Sequence, residues 1–192
     1  IKASNAEQSD AFGVSIALST DGNTLVVGAT GEDSSDVGVN GDQAKNGCYY
    51  FANEAYVIDL ECEQASKHQV RGLLDNGAAY VFKRTDSAWN QEAYLKPAST
   101  YFYTAFGTSV DVSGDGNTLV VGAPGDASKA TTINGDLAQD VEFSNTGAAY
   151  IFNKSGTAWQ QEAVIKPSTL IKHSGVSLVS SGTYTYSIQI NG

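Results

Sequence analysis

Apolar and polar positions alternate along this chain in short runs, and the runs are separated by turns rich in Gly, Asp and Asn. VSIALS (14–19) and TLVVGA (24–29) flank Asp21-Gly22-Asn23, where Gly supplies the positive φ of a tight turn. AAYVFKR (78–84) and WNQEAYLK (89–96) flank residues 85–88 in the same way. Runs of this length and period predict β-hairpins rather than helices.

The pattern then repeats. DAFGVSIALSTDGNTLVVGAT (10–30) returns as TAFGTSVDVSGDGNTLVVGAP (104–124), and NGAAYVFKRTDSAWNQEAYLKP (76–97) returns as TGAAYIFNKSGTAWQQEAVIKP (146–167). The first half is offset by 94 residues and the second by 70, so the first copy carries 24 extra residues, within 46–75. Two hairpins per copy give four antiparallel strands, and such a unit has apolar faces that only a neighbouring unit can bury. The expected fold is all-β, with β-propeller-like blades in an incomplete ring. Residues 1–9 read as the end of a preceding blade, 10–97 as the first, 98–167 as the second, and 168–192 as a partial third or a terminal strand. In that last stretch Gly175 takes the place of Gly13 and Gly107.

The motifs FGVSIALSTDGNTLVVGATGED and FGTSVDVSGDGNTLVVGAPGD, each closed by a GAAY(V/I)F strand, resemble the FG-GAP repeat, the blade motif of integrin α-subunit propellers and of bacterial surface proteins. The resemblance implies an extracellular or cell-surface propeller used for adhesion, ligand binding or scaffolding, in some members with Ca²⁺ on a short acidic loop. The second copy keeps Asp111 and Asp115 at that loop without the final carboxylate, so a plain hairpin turn competes with a cation site. Asp33, Asp36, Asn40 and Asp42, and Asp126, Asn134, Asp136 and Asp140, are the other cation candidates; Asx-turns are the competing use.

Composition narrows the function. The 192 residues carry a formal charge of −10, which disfavours nucleic acid and anionic membranes as partners. No apolar run is long enough to cross a bilayer, so no membrane insertion is expected. The chain lacks Met and begins IKASN, which reads as a processed chain or an excised part of a longer one. Cys48 and Cys62 both fall in the 24-residue insertion, and an extracellular setting makes a disulfide between them the expected use. Asn153-Lys154-Ser155 is a glycosylation acceptor pattern. His68 and His173 occupy no matching repeat positions, and no P-loop or dinucleotide fingerprint is present, so no enzyme is expected.

Two and a half blades cannot close a ring that takes four to eight. The leading expectation is therefore a non-catalytic extracellular structural protein that self-assembles with other copies into a fibre or surface appendage. Tyr184, Tyr186, Ile188 and Ile190 then form an alternating strand available to a neighbour. The alternative is an adhesion or ligand-binding module cut from a longer closed propeller, with Ca²⁺ as a possible cofactor and further repeats in cis.

Overall fold

The computed structural model describes residues 1–52, 55–59, 70–73, 75–99, 101, 103–139 and 145–168. The strands are β1 (Ser15–Leu18), β2 (Thr24–Ala29), β3 (Cys48–Ala52), β4 (Ala55–Asp59), β5 (Val70–Leu73), β6 (Ala78–Thr85), β7 (Ala88–Leu95), β8 (Ser109–Val112), β9 (Thr118–Ala123), β10 (Ala148–Ser155) and β11 (Ala158–Ile165). The described residues contain no helix. Two four-stranded antiparallel sheets are ordered β1-β2-β6-β7 and β8-β9-β10-β11, as the hairpin pattern predicts. The insertion does more than extend a loop: β3, β4 and β5 form a separate three-stranded sheet. Residues 169–192, with Tyr184, Tyr186, Ile188 and Ile190, lie outside the described residues, as do Cys62 and Asp140.

The sheets stack face to face. Alternation along each strand sends Val26, Ala79, Val81, Ala93 and Leu95 from the first sheet to meet Leu119, Val121, Tyr150, Phe152 and Val164 from the second, in one buried cluster. Tyr80, Phe82, Tyr94, Val27 and Ala29 lie on the other face of the first sheet, packed by Ala3 and Phe12.

The Phe-Gly dipeptide locks one blade onto the next. Phe106 is fully buried and meets Tyr150 and Phe152 edge-on, at ring centroid distances of 5.3 and 6.1 Å. Its N–H donates to the Asn76 carbonyl across the junction at 3.0 Å. Gly107 then passes so close to β2 that a Cβ on Gly28 would lie 2.0 Å from its carbonyl oxygen. Only glycine permits that approach, and Gly107 also needs its φ of +91°. Ser15 fixes the contact by donating its hydroxyl to the Gly107 carbonyl at 2.7 Å.

Each outer strand carries one bulge. Val81 pairs with Ala93 and Phe82 with Gln91, leaving Glu92 as the extra residue; Ile151 pairs with Ala163 and Phe152 with Gln161, leaving Glu162. A bulge re-aims the residue it leaves unpaired. Glu92 reaches the second sheet, where it accepts from Lys154 Nζ at 2.6 Å and Trp159 Nε1 at 3.0 Å.

Candidate functional site

Each blade encloses an acid and a lysine at equivalent places, and the sequence reading missed both pairs. In the first, Lys96 Nζ lies 2.5 Å from Glu32 Oε2 and also donates to Asn76 Oδ1. In the second, Lys166 Nζ lies 2.7 Å from Asp126 Oδ1 and donates to Thr146 Oγ1 at 2.9 Å. The offsets of 94 and 70 carry Glu32 onto Asp126 and Lys96 onto Lys166. The shorter Asp126 takes the Tyr150 hydroxyl directly at 2.5 Å. Around Glu32 the link is relayed, because Tyr80 donates to Asn5 Oδ1 at 2.7 Å and Asn5 Nδ2 donates to Glu32 at 2.9 Å. Burial pushes both carboxyls up, but the ammonium beside each, with Tyr94 and Ser34 at Glu32 and Ser128 and Tyr150 at Asp126, outweighs it and holds them below their ordinary values.

Asp126 was a cation candidate in the sequence; in the structure it is fully buried, and its charge is taken by Lys166. Asn40 and Asn134 likewise serve the fold. Both adopt left-handed φ, +55° and +53°. Asn40 Oδ1 accepts the Tyr94 N–H at 2.9 Å while its own N–H donates to the Tyr94 carbonyl at 2.8 Å. Asn134 does the same to Val164, at 2.8 and 3.0 Å. Each Asn thus acts as a short piece of strand against an outer edge and occupies groups that would otherwise recruit another chain. The oxygen that sequence offered to a cation is engaged by a backbone N–H.

The remaining candidates are dispersed. Asp36 accepts the Asp42 N–H at 2.5 Å across its loop, while Asp42 takes the Ala44 N–H at 3.0 Å and Asp136 the Ala138 N–H at 2.9 Å as Asx-type turns. Asp115 accepts from the Ser113 hydroxyl and the Asn117 N–H, as Asp21 does from Ser19 and Asn23. Those bonds, Ser19 first, hold Asp21 at about 2. Asp111 is exposed on β8. Among the described residues no three His, Cys, Asp or Glu side chains gather as a metal site requires. Asn153 lies near the end of β10, and its amide donates to Glu162. Cys48 opens β3 and is fully buried.

One acidic corner belongs to the first blade alone. Asp33 is buried with Oδ2 unpartnered, and burial, then Glu32, Glu7 and Asp10, push it up to about 7. Nearby, Glu7, Gln8, Ser9, Gly31 and Asp75 line an open cleft of about 420 Å³. The second blade has Tyr101, Thr104, Ala127 and Asn145 where the first has Glu7, Asp10, Asp33 and Asp75.

Four-stranded antiparallel units stacked in chain order and latched by Phe-Gly define a propeller-type blade repeat protein. The FG-GAP repeat family matches residues 1–49 and 89–152, more than half of the chain, and the chain belongs to that family. The second matched stretch runs from the outer strand of one sheet through three strands of the next, so the family unit spans the junction. No curated protein matches the chain significantly. FG-GAP repeats typically occur in extracellular or surface proteins, form propeller-like modules that often bind ligands, and are generally non-enzymatic. No described helix is long and apolar enough to cross a membrane.

Proposed function

We propose that this chain is a non-catalytic extracellular structural protein whose FG-GAP blades assemble with further copies of the chain, as a fibre or surface appendage. The observation that supports it is the open face of the second sheet. Val120 and Ile165 are 38% and 41% exposed there, whereas their equivalents Val26 and Leu95 in the first sheet are fully covered by a neighbouring blade. A face built to receive a blade and, among the described residues, left uncovered favours association. A Cys48–Cys62 disulfide would pin the inserted sheet in the oxidising setting this role implies.

A second reading, a ligand-binding module of a larger propeller, is favoured by the acidic cleft between Glu7 and Asp75. The native mass separates the two. Light scattering on unrefolded material, with and without chelator, is expected to give a particle several times heavier than 20.1 kDa. A stable monomer at all concentrations contradicts the structural role and favours the ligand-binding one.

A further inference from the structure

The repeat predicts what fits the open face. At the internal junction the second blade brings four elements to the first: the Phe106-Gly107 latch, the apolar side chains of Val110 and Val112, the Lys154 ammonium and the Trp159 indole. The first blade receives them with Gly28, Gly77, a buried apolar face and the bulged Glu92. Both halves of this junction recur, unpaired, on opposite sides of the described structure.

The receiving half recurs on the second sheet as Gly122, Gly147, Val120, Ile165 and the bulged Glu162, which is exposed. The inserting half recurs on the first sheet. Phe12 meets Tyr80 and Phe82 at 5.3 and 6.1 Å, the distances of Phe106 to its own partners. Gly13 has a φ of +99°, close to that of Gly107, and no atom lies within 4 Å of the position a Cβ would take. Ile16 and Leu18, equivalent to Val110 and Val112, are 69% and 56% exposed. Arg84 and Trp89 stand where the second blade has Lys154 and Trp159, with the Arg84 guanidinium 5.8 Å from the Trp89 ring centroid.

The charges therefore match in the same register: Glu162 on one side, Arg84 beside Trp89 on the other. Residues 1–9 do not stand in the way, because they are the repeat equivalents of 95–103, the connection present at the internal junction. Residues 169–192 contain neither Phe nor Trp, and Lys172 is their one Lys or Arg, so they lack the latch ring and the indole that the junction uses.

We infer that the open face of the second sheet is the docking site for the first blade of another copy of this chain. Phe12-Gly13 seats over Gly122 and Gly147, and Arg84 and Trp89 close on Glu162. The contact is head-to-tail and uses different surfaces on the two partners, so it propagates. This rests on the self-assembling role proposed above and adds its register.

Charge reversal tests the register on the whole chain. R84E places two carboxylates together at the junction and E162R two cations, and like charges juxtaposed in an interface weaken association, here by at least about tenfold. Mixed together, the two variants restore opposite charges at both kinds of junction, and association returns to within about threefold of wild type. Sedimentation velocity across a concentration series reads all four samples, and circular dichroism checks that each variant is folded; both side chains are exposed. I165K, on the same open face, is expected to abolish association without unfolding the chain.

Three results overturn the inference, and they are distinguishable. Wild-type chain that stays at 20.1 kDa throughout removes the self-assembling role and the register together. Association indifferent to the swaps and to I165K removes the register alone. Single swaps that weaken association but are not rescued by mixing show that Arg84 and Glu162 do not meet.

Discussion

The hexapeptide TLVVGA occurs twice, as β2 and as β9, and the two copies form central strands with matching registers. Their environments differ. In β2 all but one residue is buried, while in β9 the alternate positions Thr118, Val120 and Gly122 are open to varying degrees. Identical local sequence fixes strand and register; burial is conferred by the neighbouring blade. The face of β9 that remains open is the one that, in β2, the second blade covers.

The largest effects should ignore that asymmetry. Lys96→Met and Lys166→Met each leave a buried carboxylate without its counter-ion, and each is expected to cost about 3–5 kcal/mol by chemical denaturation. A much smaller loss at Lys166 would mean that the second pair depends on a neighbour, breaking the equivalence. The acids point the same way. Their pKa values are held below the unfolded ones, so their contribution is present above the ordinary carboxylate range and is lost as pH falls through the depressed values. Acid titration should therefore destabilise both blades.

The next effect tests the asymmetry itself. Val26→Ala removes fully buried methyl groups and is expected to cost about 2 kcal/mol, whereas Val120→Ala, in the same hexapeptide, should cost less than about 0.5 kcal/mol in dilute monomer. Equal losses would show that the open face is already covered.

Asp33 has no acidic counterpart in the second blade, where Ala127 stands. Its folded pKa of about 7 exceeds the unfolded value, so its cost to stability grows as pH rises from the ordinary carboxylate range to about 7 and stays constant above it. Asp33→Asn should raise the melting temperature at pH 8, less at pH 6, and not at pH 4; a uniform shift would point to packing instead. The smallest expected change is at the turns. Asp21→Ala and Asp115→Ala each remove hydrogen bonds at an exposed turn, and thermal melts should show slight and similar downshifts.

Much of the fold was legible because the repeat states it twice. The four-strand unit, the hairpin turns and the Phe-Gly motif follow from alternation and spacing. The buried pairs did not, since Glu32 and Lys96 are 64 residues apart and either residue alone reads as a surface charge. The signal was available in hindsight: an acid follows each GA(T/P)G and a lysine precedes each Pro97-type position, in both copies. Asn40 and Asn134 carry a strand-edge role that the pattern could not show, because an Asn oxygen that can ligate a cation can equally accept a strand N–H. Glu92 was hidden by its bulge, which breaks the alternation that assigns side chains to faces. The inserted sheet was missed because its spacing has no second copy to compare.

The central claim is that the face around Ile165 is a blade junction awaiting its partner. Thiol labelling of Ile165→Cys, read by mass spectrometry over a range of chain concentrations with Leu95→Cys as the buried reference, tests it most directly. The account predicts fast labelling in dilute chain, falling toward the Leu95→Cys rate as particles form. A rate that stays fast while particles assemble, or that is already slow in monomer, would contradict it.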